Sequence, residues 1–311
     1  MIGTRLTLRY YRSHPLDRAN AGVTRAVIVV HGTNRNADDY FATMIAATRA
    51  VDGLEATVVL APNFLTADDL PAADEAYWTS GGWKRGHLSL NSIEQVSSYA
   101  GVDRIVAALT DGTRFPDLQS VVVTGHSAGG QYVHRYAAGN RVEQTLPGIA
   151  VRYIVANPSS YLYLGPERAV SGTLDVFNLP DRSACPGYNS WHYGLEDLNE
   201  YMSAMPLEDI RTQLLTRDVV YLLGGADSLS SYLDTSCAAM LQGAYRYARG
   251  LTLYNYLEEF FPQHHHAVAV VEGVGHSSRD MYTSGVGLQT LFQWPVQLLA
   301  SSGVRAERNA R

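Results

Sequence analysis

The chain has 311 residues, 46% of them hydrophobic, with a net charge of −6 spread along it and no long acidic or basic run. That is enough apolar material for a sizeable core, and it excludes the basic footprint of a nucleic-acid binder or of a membrane-surface patch. No window approaches the roughly 18 consecutive apolar residues of a spanning helix, and the opening MIGTRLTLRYYRSHPL lacks the apolar stretch of a signal peptide, so neither feature is expected from these residues.

Short β-branched runs alternate with longer helical stretches. TRAVIVVHG (24–32) reads as a buried strand and ADDYFATMIAATRAV (37–51) as a helix. ATVVLAPNF (56–64) is the next strand, and 92–112 has helical spacing closed by Gly112. LQSVVVTG (118–125) is a strand, and AGGQYVHRYAAGN (128–140) a helix ending on the favourable pair Gly139-Asn140. IAVRYIVANPSS (149–160), RDVVYLLGGADS (217–228) and HAVAVVEGVGH (266–276) are further strands, the last followed by a helix to about residue 300. Such alternation predicts an α/β fold with a mostly parallel central sheet and helices on both faces.

Residues 158–216 break the rhythm. They hold Pro158, Pro166, Pro180, Pro186 and Pro206, and are long for a connection between strands. The expectation is a cap or lid over the sheet's carboxyl edge, where open α/β sheets bind ligands, with 1–157 and 217–311 forming the core domain.

The chemistry concentrates in VVVTGHSAGG (121–130). Glycines at 125 and 129 remove Cβ atoms where a tight strand-to-helix turn would clash. The serine between them, Ser127, can then be held in a strained conformation above the sheet edge, at a helix N-terminus that favours developing negative charge. A serine hydroxyl needs a base, and the base an orienting acid. On this architecture they follow in the order Ser, Asp or Glu, His, each past a later strand's carboxyl end. Asp227 after VVYLLGGA and His276 after AVAVVEGVG meet that requirement. Asp234 is the alternative acid; Asp181 and Asp197 fall inside the insertion, before the expected strand.

His126 and His134 stand in the wrong chain order, and His126 is expected to pack beside the turn. His264, His265 and His266 lack metal-ligand spacing, because adjacent residues of an extended chain point to opposite faces. They are expected to mark a solvated approach to the last strand. Oxyanion donors are expected at the backbone N–H of Ala128 and, from the loop after the first strand (VIVVHGTNRN), of Thr33.

These features together resemble the α/β-hydrolase superfamily: His31-Gly32-Thr33, Gly125-His126-Ser127-Ala128-Gly129, Gly224-Gly225-Ala226-Asp227 and Gly275-His276, over about residues 20–300. HGTNRNADDYF is also similar to a loop of secreted feruloyl esterases and polyhydroxyalkanoate depolymerases. The resemblance implies carboxylic ester hydrolysis through an acyl-enzyme on small to medium esters, aromatic or polymer-derived ones included, with no metal or organic cofactor. Peptidase, amidase and acyltransferase activities are alternatives on the same fold, and a non-catalytic binding protein is a remote one.

Aromatics in irregular segments offer a groove for the acyl group. Tyr161, Trp83, Trp191 and Tyr188 are the candidates, each also compatible with core packing. Lys84, the only lysine in the chain, and Arg85 lie in the same aromatic loop, where a cation would orient an acidic substrate. The expected partner is a small-molecule ester, not nucleic acid or membrane; oligomeric state is not legible. The two cysteines, Cys185 and Cys237, allow one disulfide or two free thiols. A disulfide would imply a secreted or periplasmic protein, and free thiols a cytoplasmic one.

Overall fold

The computed structural model describes residues 2–146 and 148–293. Its strands are β1 (Arg9–Arg12), β2 (Arg25–Val30), β3 (Thr57–Asn63), β4 (Ser120–His126), β5 (Ala150–Ala156), β6 (Arg168–Ala169), β7 (Phe177–Asn178), β8 (Asp218–Gly224) and β9 (His266–Val271). Its α-helices are α1 (Ala37–Ala50), α2 (Ser98–Leu109), α3 (Ala128–Gly139), α4 (Glu200–Ser203), α5 (Leu207–Thr216), α6 (Cys237–Met240), α7 (Arg246–Phe260), α8 (Ser278–Thr283) and α9 (Gly285–Phe292). Seven strands make one sheet in the order β1-β3-β2-β4-β5-β8-β9. All its neighbours are parallel except β1, which runs antiparallel to β3.

The β-branched runs are buried on both faces, and their period of two splits the core. Ala26, Ile28, Val30, Val121, Val123, Tyr153, Val155, Tyr221 and Leu223 face the larger core, where residues of α2, α3, α5 and α7 cover them. Val27, Val29, Val122, Ile154, Ala156 and Leu222 face the other, covered from α1, α8 and α9. This is the three-layer arrangement expected from the alternation. Among the described residues, no helix is long and apolar enough to cross a membrane.

Three expectations need adjustment. The helix expected over 92–112 is only Ser98–Leu109, because the Ser97 hydroxyl caps it by accepting from Tyr99 N (3.2 Å) while the preceding chain stays extended against Leu88. The edge strand β1 was not foreseen, since RYYR is exposed throughout and carries no apolar signal. After β9 the helical segment is two short helices broken at Ser284, whose hydroxyl caps the second by accepting from Gly287 N (2.9 Å). Its expected continuation to about 300 lies outside the described residues.

Residues 158–216 form the β6–β7 ladder, α4 and α5, with turn-rich irregular segments between them. Helix α5 packs on α3 as the crossover between β5 and β8. Cys185 within this stretch is disulfide-bonded to Cys237 at the start of α6, with Tyr188 and Ala238 packed around the bond. Arg135 of α3 ties the stretch down through the His192 carbonyl (3.0 Å), and the Arg85 carbonyl accepts from Trp191 Nε1 (3.0 Å) and Asn199 Nδ2 (2.7 Å).

Candidate active site

Strand β4 is central, with Gly125 paired to Val30 of β2 on one side and Val155 of β5 on the other. The turn beyond its carboxyl end holds Ser127 at φ 60°, ψ −118°, a region an L-residue occupies at a cost and one associated with functional sites. The two glycines explain how the turn closes. A Cβ at Gly125 would lie 2.4 Å from the Gly129 carbonyl, and one at Gly129 would lie 2.2 Å from Val30 O and 2.7 Å from His31 O. The second contact seats the β2 loop directly against the N-terminus of α3. Thr33, half-buried, and Ala128 thus belong to two adjoining backbone segments. Ala128 opens the helix, where N–H groups have no intrahelical acceptor.

His31 holds the β2 loop in place. Its Nδ1–H donates to Gly32 O (2.9 Å) and its Nε2 accepts from Phe64 N (3.0 Å). Burial pushes its pKa down to about 4, so the ring is neutral and can accept that bond. A side chain at Gly32 would collide with the Tyr40 hydroxyl, 2.6 Å from the ideal Cβ.

The chain order Ser, Asp, His closes into one hydrogen-bonded line. His276 Nε2 lies 2.9 Å from Ser127 Oγ, and His276 Nδ1 lies 2.7 Å from Asp227 Oδ2. An ionised Asp227 only accepts, so Nδ1 carries the proton and Nε2 is left to accept from the serine. The β8 and β9 loops are locked together: Ala226 N donates to Val274 O (3.0 Å), Gly225 N to Val271 O (3.0 Å), and a Cβ at Gly224 would meet Val274 O at 2.6 Å.

The alternative acids are occupied elsewhere. Asp234 accepts from the Tyr193 hydroxyl (2.7 Å) and from Ser236 N (3.1 Å), Asp181 from Ser183 N (2.8 Å), and Asp197 from the Ser190 hydroxyl (2.7 Å). His126 is buried with its ring centroid 4.4 Å from that of His276, and its Nδ1 lies 3.3 Å from the Tyr40 hydroxyl. Burial, then the His276 charge, holds its pKa well below the usual histidine range. His134 is a core residue whose Nδ1 accepts from Leu162 N (3.2 Å). Of the triple-histidine run, His265 is exposed, but His266 is not at a solvated approach. It is buried between the Tyr221 hydroxyl (2.9 Å) and Leu214 O (2.7 Å), because β9 begins at that residue and turns it inward.

The sequence reading missed Arg246. Asp227 is fully buried and its Oδ1 has no hydrogen-bond partner among the described residues. Arg246 at the start of α7, also fully buried, places Nη1 3.6 Å from that oxygen while donating to Leu229 O (3.1 Å) and Ser231 O (2.7 Å). Nothing in RYARG distinguishes this arginine from the surface arginines common in the chain.

The aromatics expected to line a groove are mostly core. Tyr161 is fully buried against His134 and Tyr221. Trp83 is buried between His31 (4.6 Å) and Phe64 (5.6 Å), and Tyr188 packs beside the disulfide. Trp191 alone of the four is half-buried. The irregular backbone at these positions suggested a surface; the apolar area of each ring is instead used to anchor a loop.

No family model and no curated protein sequence matches the chain. Solved structures do. Poly(3-hydroxybutyrate) depolymerase LpqC from Bordetella parapertussis is 23% identical with a TM-score of 0.63, the match covering 92% of this chain and 85% of that one. Poly(aspartic acid) hydrolase-1 from Sphingomonas sp. KT-1 is 23% identical with a TM-score of 0.61, covering 88% and 90%. The chain has the α/β-hydrolase fold.

Proposed function

We propose that the protein is a serine hydrolase that cleaves carboxylic esters through a covalent acyl-enzyme. The observation that carries this reading is the hydrogen-bonded line Ser127–His276–Asp227, with a strained serine at a strand-to-helix turn. Ser127 Oγ attacks the ester carbonyl carbon as its proton passes to His276 Nε2. The tetrahedral oxyanion is held by the N–H groups of Ala128 and Thr33. Collapse breaks the bond to the alkoxy group, which takes the proton from His276 and leaves as the alcohol. Water repeats the sequence on the acyl-enzyme: His276 takes its proton, the acid departs, and Ser127 regains its hydrogen. Asp227 keeps Nδ1 protonated and stabilises the imidazolium, and Arg246 positions Asp227 from its far side.

The names of the two structural neighbours support polymer-derived substrates as the class to test. Of residues 158–216, the part before α5, pinned by the disulfide and by Arg135, acts as a cap over the site, while α5 belongs to the core. The disulfide supports a secreted or periplasmic place of action.

Labelling with a fluorophosphonate followed by peptide mapping tests the reading. Stoichiometric modification of Ser127, absent in Ser127→Ala, is expected. A folded protein that takes up no label would overturn it.

A further inference from the structure

The edge of the sheet beside Ser127 carries more positive charge than its internal partners neutralise. Gln131, one turn into α3, donates its N–H to Ser127 O (3.1 Å), and its Oε1 accepts from Arg135 Nη1 (3.3 Å). Arg135 is fully buried, and its remaining donors go to the His192 carbonyl (3.0 Å) and Ser160 Oγ (3.0 Å). Every one of these acceptors is neutral.

Lys84 and Arg85 join this group. They follow Trp83 in a short 3-10 turn, and Trp83 packs on His31, so the turn sits beside the loop that bears Thr33. Both cations are half-buried, neither is in an ion pair among the described residues, and Arg85 Nε is buried without an acceptor. His192 is 4% exposed with its Nε2 also buried and unpartnered. Burial, and after it the charges of Arg135, Arg85 and Lys84 with His87, keep that imidazole neutral. The carboxylate that offsets these cations, Asp234, is already engaged by the Tyr193 hydroxyl and Ser236 N. A buried donor left without an acceptor, as Arg85 Nε is, is costly, and an oxyanion supplies what it lacks through a charge-assisted hydrogen bond.

We propose that Lys84 and Arg85, beside the buried imidazole of His192, form a subsite for a carboxylate on the substrate, making the protein selective for acid-bearing esters. The subsite rests on the serine-hydrolase reading for its role in turnover, but carboxylate binding does not. Lys84 is pushed down to about 8 by burial and by the charges of Arg85 and Arg135, against Asp234. Its share of the binding is therefore present at neutral pH and is lost as pH rises through that value.

Two measurements test the proposal. Glutarate binding to Ser127→Ala, followed by calorimetry at pH 7, is expected, with Lys84→Gln and Arg85→Gln each weakening it by about tenfold, the equivalent of one lost charge-assisted bond. In otherwise wild-type protein, kcat/KM for 4-nitrophenyl hydrogen glutarate is compared with 4-nitrophenyl butyrate, and for 4-acetoxybutyrate with butyl acetate. The first pair places the carboxylate on the acyl side and the second on the alcohol side. A preference for the acid in either pair, lost in both variants while the neutral ester is still cleaved, supports the subsite and locates it. Hydrolysis of neutral esters without glutarate binding or acid preference overturns the subsite and leaves the hydrolase reading standing. Glutarate binding that needs both cations, in a protein that cleaves no ester, overturns the hydrolase reading and leaves the subsite.

Discussion

The two sides of the Ser127 turn handle charge in opposite ways. Toward β8 and β9, Asp227 is enclosed between His276 and Arg246, an acid with a base on one oxygen and a cation near the other. Toward the 3-10 turn and the insertion, Lys84 and Arg85 stand in no ion pair among the described residues, and Arg135 bonds only neutral groups. A buried charge with built-in partners is held in one place and serves geometry. A half-buried cation with free donors is poised for an external anion. On the function and subsite proposed above, the difference separates groups that set up the chemistry from groups that select what reaches it.

Removing the paired side should produce the largest effects. Ser127→Ala and His276→Ala are each expected to lower kcat by about 10⁶-fold, because in the proposed mechanism Ser127, His276 and Asp227 act as a unit. Asp227→Asn should cost about 10⁴-fold with the fold retained. Steady-state kinetics on a 4-nitrophenyl ester checks all three, and a histidine variant with most of its activity would refute the base assignment.

Arg246→Met should come next. It leaves the Asp227 charge buried without its cation, and losing one partner of a buried pair costs about 3–5 kcal/mol of stability. A purely structural arginine would lower stability alone. A positioning residue should also lower kcat in the folded variant, with KM little changed. Denaturant unfolding and kinetics on the same sample separate the two.

Cys185→Ser with Cys237→Ser should lower unfolding free energy by about 2–4 kcal/mol, since the bond closes a long loop in the unfolded chain. Equal urea midpoints for variant and oxidised protein would contradict this.

The smallest and broadest effect is on acid stability. His31 is held at about 4 and His266 at about 3 by burial, and His126 and His134 are held well below the usual range. The unfolded chain takes up protons near the ordinary histidine value of about 6.5, before the folded protein does. Their stabilisation is therefore fully present above that pH and is lost as pH falls, the His31 share by about 4 and the His266 share by about 3. Urea midpoints that do not fall between pH 7 and 5 would show that these rings are not buried as neutral groups.

Much of the fold was legible because parallel strands buried on both faces write continuous apolar runs, and the helices between them write a different period. Ser127 was legible because Gly125 and Gly129 flank it at a strand-to-helix turn where backbone packs on backbone. Asp227 and His276 followed from position past strand ends, and the structure brings them into line. Edge strand β1 was hidden because its exposed residues need no apolar pattern. For Tyr161, Trp83 and Tyr188 the sequence left groove and core both open, because a loop aromatic looks the same whether it lines a groove or anchors a loop; the structure buries all three.

The sequence by itself determined the strand and helix alternation, the glycine-flanked turn at Ser127 and the order in which Asp227 and His276 follow it, since each depends on residues close in the chain or on a fixed topology. Only the tertiary structure decided that Arg246 faces Asp227, that His31 pins the Thr33 loop, that Cys185 meets Cys237, and that the 3-10 turn of Lys84 and Arg85 is held against the segment of Trp191 and His192. Those contacts join separate loops, and the distance between two loops is set by how the sheet and its covering helices pack, which no local pattern records.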